Sequence, residues 1–191
     1  MTRNEVRIIG YGGQGVITLS KMIAYAAVLD NKEAAQTEAY GPASRGGSCW
    51  AEVVIDTENE IEYPRAIQPN FYIILSQNGA DRYGKFCNDP AVTSIIDPLT
   101  VEKWKIKKGT TYRIESQQIA NEEYKNPLIA NVILLGAFFE ISGFISHEAA
   151  MQTLKKFIPE KAFELNIVAF ERGIHLAQDQ MSGAQTTQEN E

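Results

Sequence analysis

Apolar residues come in short bursts through the first 115 positions and in long helical rhythms after that. "VRIIG" (Val6–Gly10) is an apolar run stopped by glycine, which predicts a buried strand. From Gly15 to Leu29 the apolar positions Val16, Leu19, Ile23, Ala26 and Ala27 recur at helical spacing, and Asp30-Asn31 closes the helix. "EAAQTEAY" and "SCWAEVVID" read as strands joined by a glycine-rich loop, with Cys49, Ala51, Val53 and Ile55 alternating at period two. "NFYIILS" and "AVTSIID" are further strands, with a helix through "GADRYGKF" between them and a short strand at "TYRIES". Three helices follow, over Asn126–Ile141, Ser146–Phe157 and Pro159–Gln178. Ser146 is placed to cap the second, and Pro159 suits the start of the third.

Strands alternating with helices predict one α/β domain over 1–180, a mostly parallel sheet covered on both faces, with a helical last third. The closing "SGAQTTQENE" lacks apolar residues to pack, so 181–191 is expected to be a disordered tail. The apolar segment Leu128–Phe139 contains Asn131 and Gly136 and is too short to span a bilayer, so it predicts a buried helix.

Composition narrows the function more than the fold. The 191 residues carry a net charge of -6, which disfavours nucleic acid as the main partner. The start of the chain shows no secretory pattern, and a cytoplasmic protein off the membrane is expected. Two cysteines, Cys49 and Cys87, make no C-x-x-C and are too few to hold an iron–sulfur cluster. The two histidines, His147 and His175, have no companion at ligand spacing and read as structural or surface residues, and no metal site is expected. No G-x-S-x-G occurs, and nothing resembles a self-contained catalytic constellation.

Two glycine loops carry the chemistry. "GYGGQG" sits between a strand and a helix, where small residues let backbone N–H groups and the helix dipole meet an anion. Gly10, Gly12 and Gly15 fit the dinucleotide fingerprint, but NAD also needs a carboxylate about 20 residues on, at the end of the second strand. Glu33 opens that strand and Glu38 runs straight into another loop, so a different anion fits better; a tight turn without a ligand is the alternative. The second loop, "AYGPASRGGS", places Arg45 beside Gly46 and Gly47 on the same side of a doubly wound sheet, facing one crevice, or else as an exposed hairpin with a solvated arginine. "GADRYGKF" imitates a phosphate loop, but Phe86 stands where a magnesium-binding hydroxyl is required.

"GYGGQGVITLSK", "YGPASRGG", "PNFYIILSQNGADRYGK" and "NVILLGAFFEISGFISHEAAMQTLKKFI" leading to "NIVAFERG" occur in this order across most of the chain. In this pattern the sequence resembles the gamma subunit of 2-oxoacid:ferredoxin oxidoreductases. Ala43-Ser44 replaces an acidic residue common before Arg-Gly-Gly, so no carboxylate role carries over there. The resemblance implies a three-layer, Rossmann-like fold. It also implies a non-autonomous subunit of a complex that oxidatively decarboxylates a 2-oxoacid, forms acyl-CoA and passes electrons to ferredoxin. Thiamine diphosphate, magnesium and iron–sulfur clusters then belong to the alpha and beta partners and a ferredoxin-like delta subunit. This chain helps receive coenzyme A (CoA), with Gly12, Gly13, Gln14, Gly15 and Val16 on the CoA-facing loop. Lys21 follows on the helix, and Arg45, Gly46 and Gly47 form a second edge of the site or a subunit contact. "AAQTEAYGP" and "IEYP" resemble the 2-oxoglutarate type more than the pyruvate or indolepyruvate types. The chain is then catalytically silent alone, and a docking face left bare is expected to pair with itself as a homodimer.

Overall fold

The computed structural model describes residues 3–41 and 47–188, the side chains of 183–188 excepted. Six strands form one sheet in the order β2-β3-β1-β4-β5-β6. These are β1 (Arg3–Tyr11), β2 (Glu33–Tyr40), β3 (Ser48–Asp56), β4 (Phe71–Ile74), β5 (Thr93–Ile96) and β6 (Thr110–Arg113). β1, β4, β5 and β6 pair in parallel, while β3 runs antiparallel to both β1 and β2. The sheet is thus mostly parallel, as expected. The doubly wound assumption fails at one point, because β2 and β3 form a hairpin and β3 inserts between β2 and β1 rather than returning through a crossover helix.

Helices α1 (Val16–Leu29), α3 (Ser116–Glu122), α4 (Ala130–Ser142), α5 (His147–Phe157) and α6 (Phe163–Gln188) all feed one large core on one face of the sheet. The opposite face buries a smaller cluster under α2 (Gln77–Tyr83), with Cys87, Val101 and Trp104. Over β1 and β3 on that face, a half-buried ion pair adjoins the apolar packing of Ile9 and Trp50. Arg7 donates to Glu52 Oε1 at 2.7 Å and to the Ala66 carbonyl at 3.0 Å, pinning the 57–70 connection to the sheet.

α4 is the buried helix the sequence predicts, with every residue from Val132 to Phe138 buried. It crosses α6 where two glycines meet. A Cβ on Gly136 would lie 2.0 Å from the Phe170 carbonyl oxygen, and one on Gly173 2.0 Å from that of Ile133. Only bare backbones approach this closely. Ser146 caps α5 as expected, its hydroxyl accepting from the Ala149 N–H at 3.1 Å. α6 begins at Phe163 after a 3-10 turn over Glu160–Ala162, and it continues through Gln188 into the stretch expected to be disordered. Extending a helix that is already nucleated costs little per residue.

Candidate functional site

The site is built at the carboxyl ends of β1 and β4. α1 leaves toward one face of the sheet and α2 toward the other, so these neighbouring strands flank a crevice of the kind in which open α/β sheets bind ligands. Gln14 organises it. Its Oε1 accepts from the Tyr11 N–H at 2.7 Å and its Nε2 donates to the Leu75 carbonyl at 2.7 Å, tying the end of β1 to the end of β4. The Gly12 N–H donates to the Gly47 carbonyl at 3.0 Å, which joins the glycine loop to the β2–β3 turn. The described end of the second loop thus meets the glycine loop through the β2–β3 hairpin.

Gly15 opens α1 in the left-handed region at φ 71°, and no side chain caps the helix. Its N-terminal N–H groups are left for a ligand or water. A Cβ on Gly15 would lie 1.9 Å from Asn131 Nδ2, so the first turn of α4 presses directly on the bare α carbon.

A cleft of about 650 Å³ opens between the α1 N-terminus, the start of α4, the segment entering α6 and the end of the hairpin. Tyr11, Gly12, Gly13, Gly15 and Val16 form its loop wall; Leu128, Ile129 and Val132 line the α4 side. Cys49 lies in it, buried, and burial raises its thiol pKa. Among the described residues no charged side chain lines the cleft. A side chamber of about 80 Å³ adjoins it, lined by the carboxamides of Gln14, Gln117, Asn121 and Asn131. The rim is apolar and open, with Tyr40 66% and Leu128 72% exposed.

Gly12, Gly13, Gly15 and Val16 line the cleft together. Gln14 sits behind them with its amide spent on shaping the loop. Lys21 points to Glu38, 3.4 Å away, rather than into the cleft. Gly47 touches Gly12, while Arg45 and Gly46 lie outside the described residues. The NAD alternative loses its geometry: Glu33 is at the far end of β2, Glu38 is paired with Lys21, and β3 separates β2 from β1. His147 stands among Phe139 and Phe170 at the start of α5, and His175 is exposed on α6. Asn131 and the α4 N-terminus had no assigned role. The segment "NVILLGA" stands out in the sequence, but its landing on Gly15 is a tertiary event that spacing cannot show.

The glycine loop entering α1, the adjoining hairpin and the late helix against them define a member of a known class. A family model for pyruvate ferredoxin/flavodoxin oxidoreductases matches residues 5–176, and the chain belongs to that family. Among its relatives, the 2-oxoglutarate synthase subunit KorC of Methanocaldococcus jannaschii is 36% identical over 93% of this chain and 95% of its own length. The keto/oxoacid ferredoxin oxidoreductase gamma subunit from Geobacter sulfurreducens superposes with TM-score 0.80 at 30% identity, over 92% of this chain and 99% of the other. The fold also recurs in a 2-oxoglutarate:ferredoxin oxidoreductase from Magnetococcus marinus, with 2-oxoglutarate, CoA and succinyl-CoA bound. There the TM-score is 0.84 at 23% identity, over 94% of this chain and 32% of the larger one. The relatives are subunits of oxidoreductases that act on 2-oxoacids, and the 2-oxoglutarate type matches best. Among the described residues no helix is long and apolar enough to cross a membrane.

Proposed function

We propose that this chain is the gamma component of a 2-oxoglutarate:ferredoxin oxidoreductase and that its cleft helps hold CoA. The observation that carries the reading is the uncapped α1 N-terminus opening into a cleft with apolar walls and neutral polar groups. CoA combines a pyrophosphate with a long, largely uncharged arm. The α1 N–H groups and helix dipole suit the phosphates. Val16, Ile129 and Val132 suit the arm, and Gly12, Gly13 and Gly15 let the backbone come close. Gly47, bonded to the Gly12 N–H, continues this loop edge, whereas Lys21 stays paired with Glu38 outside the cleft.

The remaining chemistry fits partners. Among the described residues no three His, Cys, Asp or Glu side chains converge to hold a metal, and Cys49 and Cys87 belong to different cores. We assign thiamine diphosphate, magnesium and the iron–sulfur clusters to alpha and beta subunits and a ferredoxin-like delta subunit, and the exposed Tyr40 and Leu128 rim to contact with them or with a second copy. In the assembled enzyme this chain would orient CoA toward the partners' thiamine-bearing site.

Thr18→Glu tests the reading. Thr18 is exposed in the first turn of α1 and lines the cleft. A carboxylate there suits the helix dipole and leaves folding intact, but it repels a phosphate at the same place. The KM for CoA in the assembled enzyme should rise about 10-fold or more, as expected for ~1.4 kcal/mol or more of lost binding, with the KM for 2-oxoglutarate unchanged. An unchanged KM for CoA would sink the assignment.

A further inference from the structure

Asn131 packs against Gly15 and is also placed to read a ligand. Its Oδ1 is buried and has no hydrogen-bond partner, which among the described residues is true of one other side-chain atom, Ser94 Oγ in β5 beside the Cys87 thiol. Buried polar atoms are nearly always paired, so an unpaired one on a residue that lines a cavity marks a bond that something else completes. Asn131 lies in the wall shared by the large cleft and the side chamber. The α1 N-terminus, whose bare Gly15 touches the Asn131 amide, is the adjoining wall.

The chamber's chemistry sets what enters. Its polar lining is made of carboxamides and carries no charge. A phosphate or carboxylate there would lose its hydration without gaining a cation, whereas an uncharged group bearing an N–H donor would match. At about 80 Å³ it admits the end of a molecule, not the whole. We propose that Asn131 accepts a hydrogen bond from an uncharged N–H of the bound CoA at the mouth of this chamber, while the α1 N-terminus takes the phosphates. This rests on the CoA reading above. CoA offers such a donor in two places, the adenine amino group and the amides of the pantetheine arm.

The test is Asn131→Ala in the assembled enzyme. Losing one hydrogen bond to a neutral group predicts a KM for CoA raised by about 3- to 10-fold. The KM for 2-oxoglutarate should stay constant, and the melting temperature should not fall, because the substitution also removes an unpaired buried acceptor. Pantetheine and adenosine 3′,5′-bisphosphate, used as competitive inhibitors, separate the two donors: whichever weakens in the variant carries the group that Asn131 contacts. Unchanged inhibition by both with an unchanged KM overturns the assignment, and so does a lowered melting temperature without a change in KM. If Thr18→Glu raises the KM for CoA and Asn131→Ala does not, Asn131 alone is misassigned. If neither does, the CoA reading itself fails.

Discussion

Replacing Gly15 by alanine isolates two costs that the geometry keeps separate. At φ 71° an L side chain is strained by about 1–2 kcal/mol. The new Cβ would also sit 1.9 Å from Asn131 Nδ2 and 2.5 Å from its Cγ. Asn131 has to swing away or α4 has to shift, an overpacking cost of about 1–3 kcal/mol. The sum, about 2–5 kcal/mol, corresponds to a loss of roughly 4–20 °C in melting temperature for a chain of this size. Gly13→Ala is the control: Gly13 has φ 99°, but its new Cβ would find nothing within 4 Å, so only the backbone strain applies. The double variant Gly15→Ala/Asn131→Ala should recover the steric part and leave the strain, giving a coupling of at least about 1 kcal/mol in a double-mutant cycle followed by urea unfolding. If Gly15→Ala costs no more than Gly13→Ala, or the double variant recovers nothing, α4 does not press on the loop and the site is wrongly assembled.

Gly173→Ala should cost about 3 kcal/mol in urea unfolding, because its Cβ would meet the Ile133 carbonyl and no side chain can yield. Acid should destabilise the fold through two aspartates. Burial alone raises the Asp30 carboxyl pKa, but the Ser146 hydroxyl and N–H and the Lys32 ammonium outweigh it and hold it below the usual range; the Glu58 and Asn59 N–H groups do the same for Asp56. Both contributions are complete above the ordinary aspartate value of about 4 and are lost as pH falls through the depressed native values, which a series of melting curves will follow. At the alkaline end burial pushes Cys87 up to about 11, so its contribution is full below the ordinary thiol value of about 8.5 and fades as pH rises toward 11. NADH should not bind the purified chain by calorimetry; saturable binding abolished by Glu38→Ala would restore the dinucleotide reading.

How far the sequence carried the structure depended on whether its causes were local. The boundaries of β2 and β3 follow from composition and alternation alone, and the Ser146 cap follows from one residue and the helix after it. α3 escaped because its start is capped from a distance: Asp97 accepts from the Ser116 hydroxyl at 2.6 Å and from the Gln117 N–H at 2.9 Å, across 19 and 20 residues. The insertion of β3 beside β1 escaped for a similar reason, since strand pairing is chosen by partners far apart in the chain. In the site, the glycine loop was legible because a strand, a tight turn and a helix start are all written in adjacent residues. The place of Asn131 was not, being fixed only when α4 packs against α1.

The most direct measurement is anaerobic purification of the complex through a tag on this chain, followed by assay of viologen reduction with 2-oxoglutarate, pyruvate and branched-chain 2-oxoacids, each with and without CoA. The account predicts co-purified thiamine-bearing and iron–sulfur subunits and CoA-dependent oxidation with 2-oxoglutarate preferred. Recovery of the chain alone under conditions that preserve such complexes, or a complex whose activity ignores CoA, would contradict it.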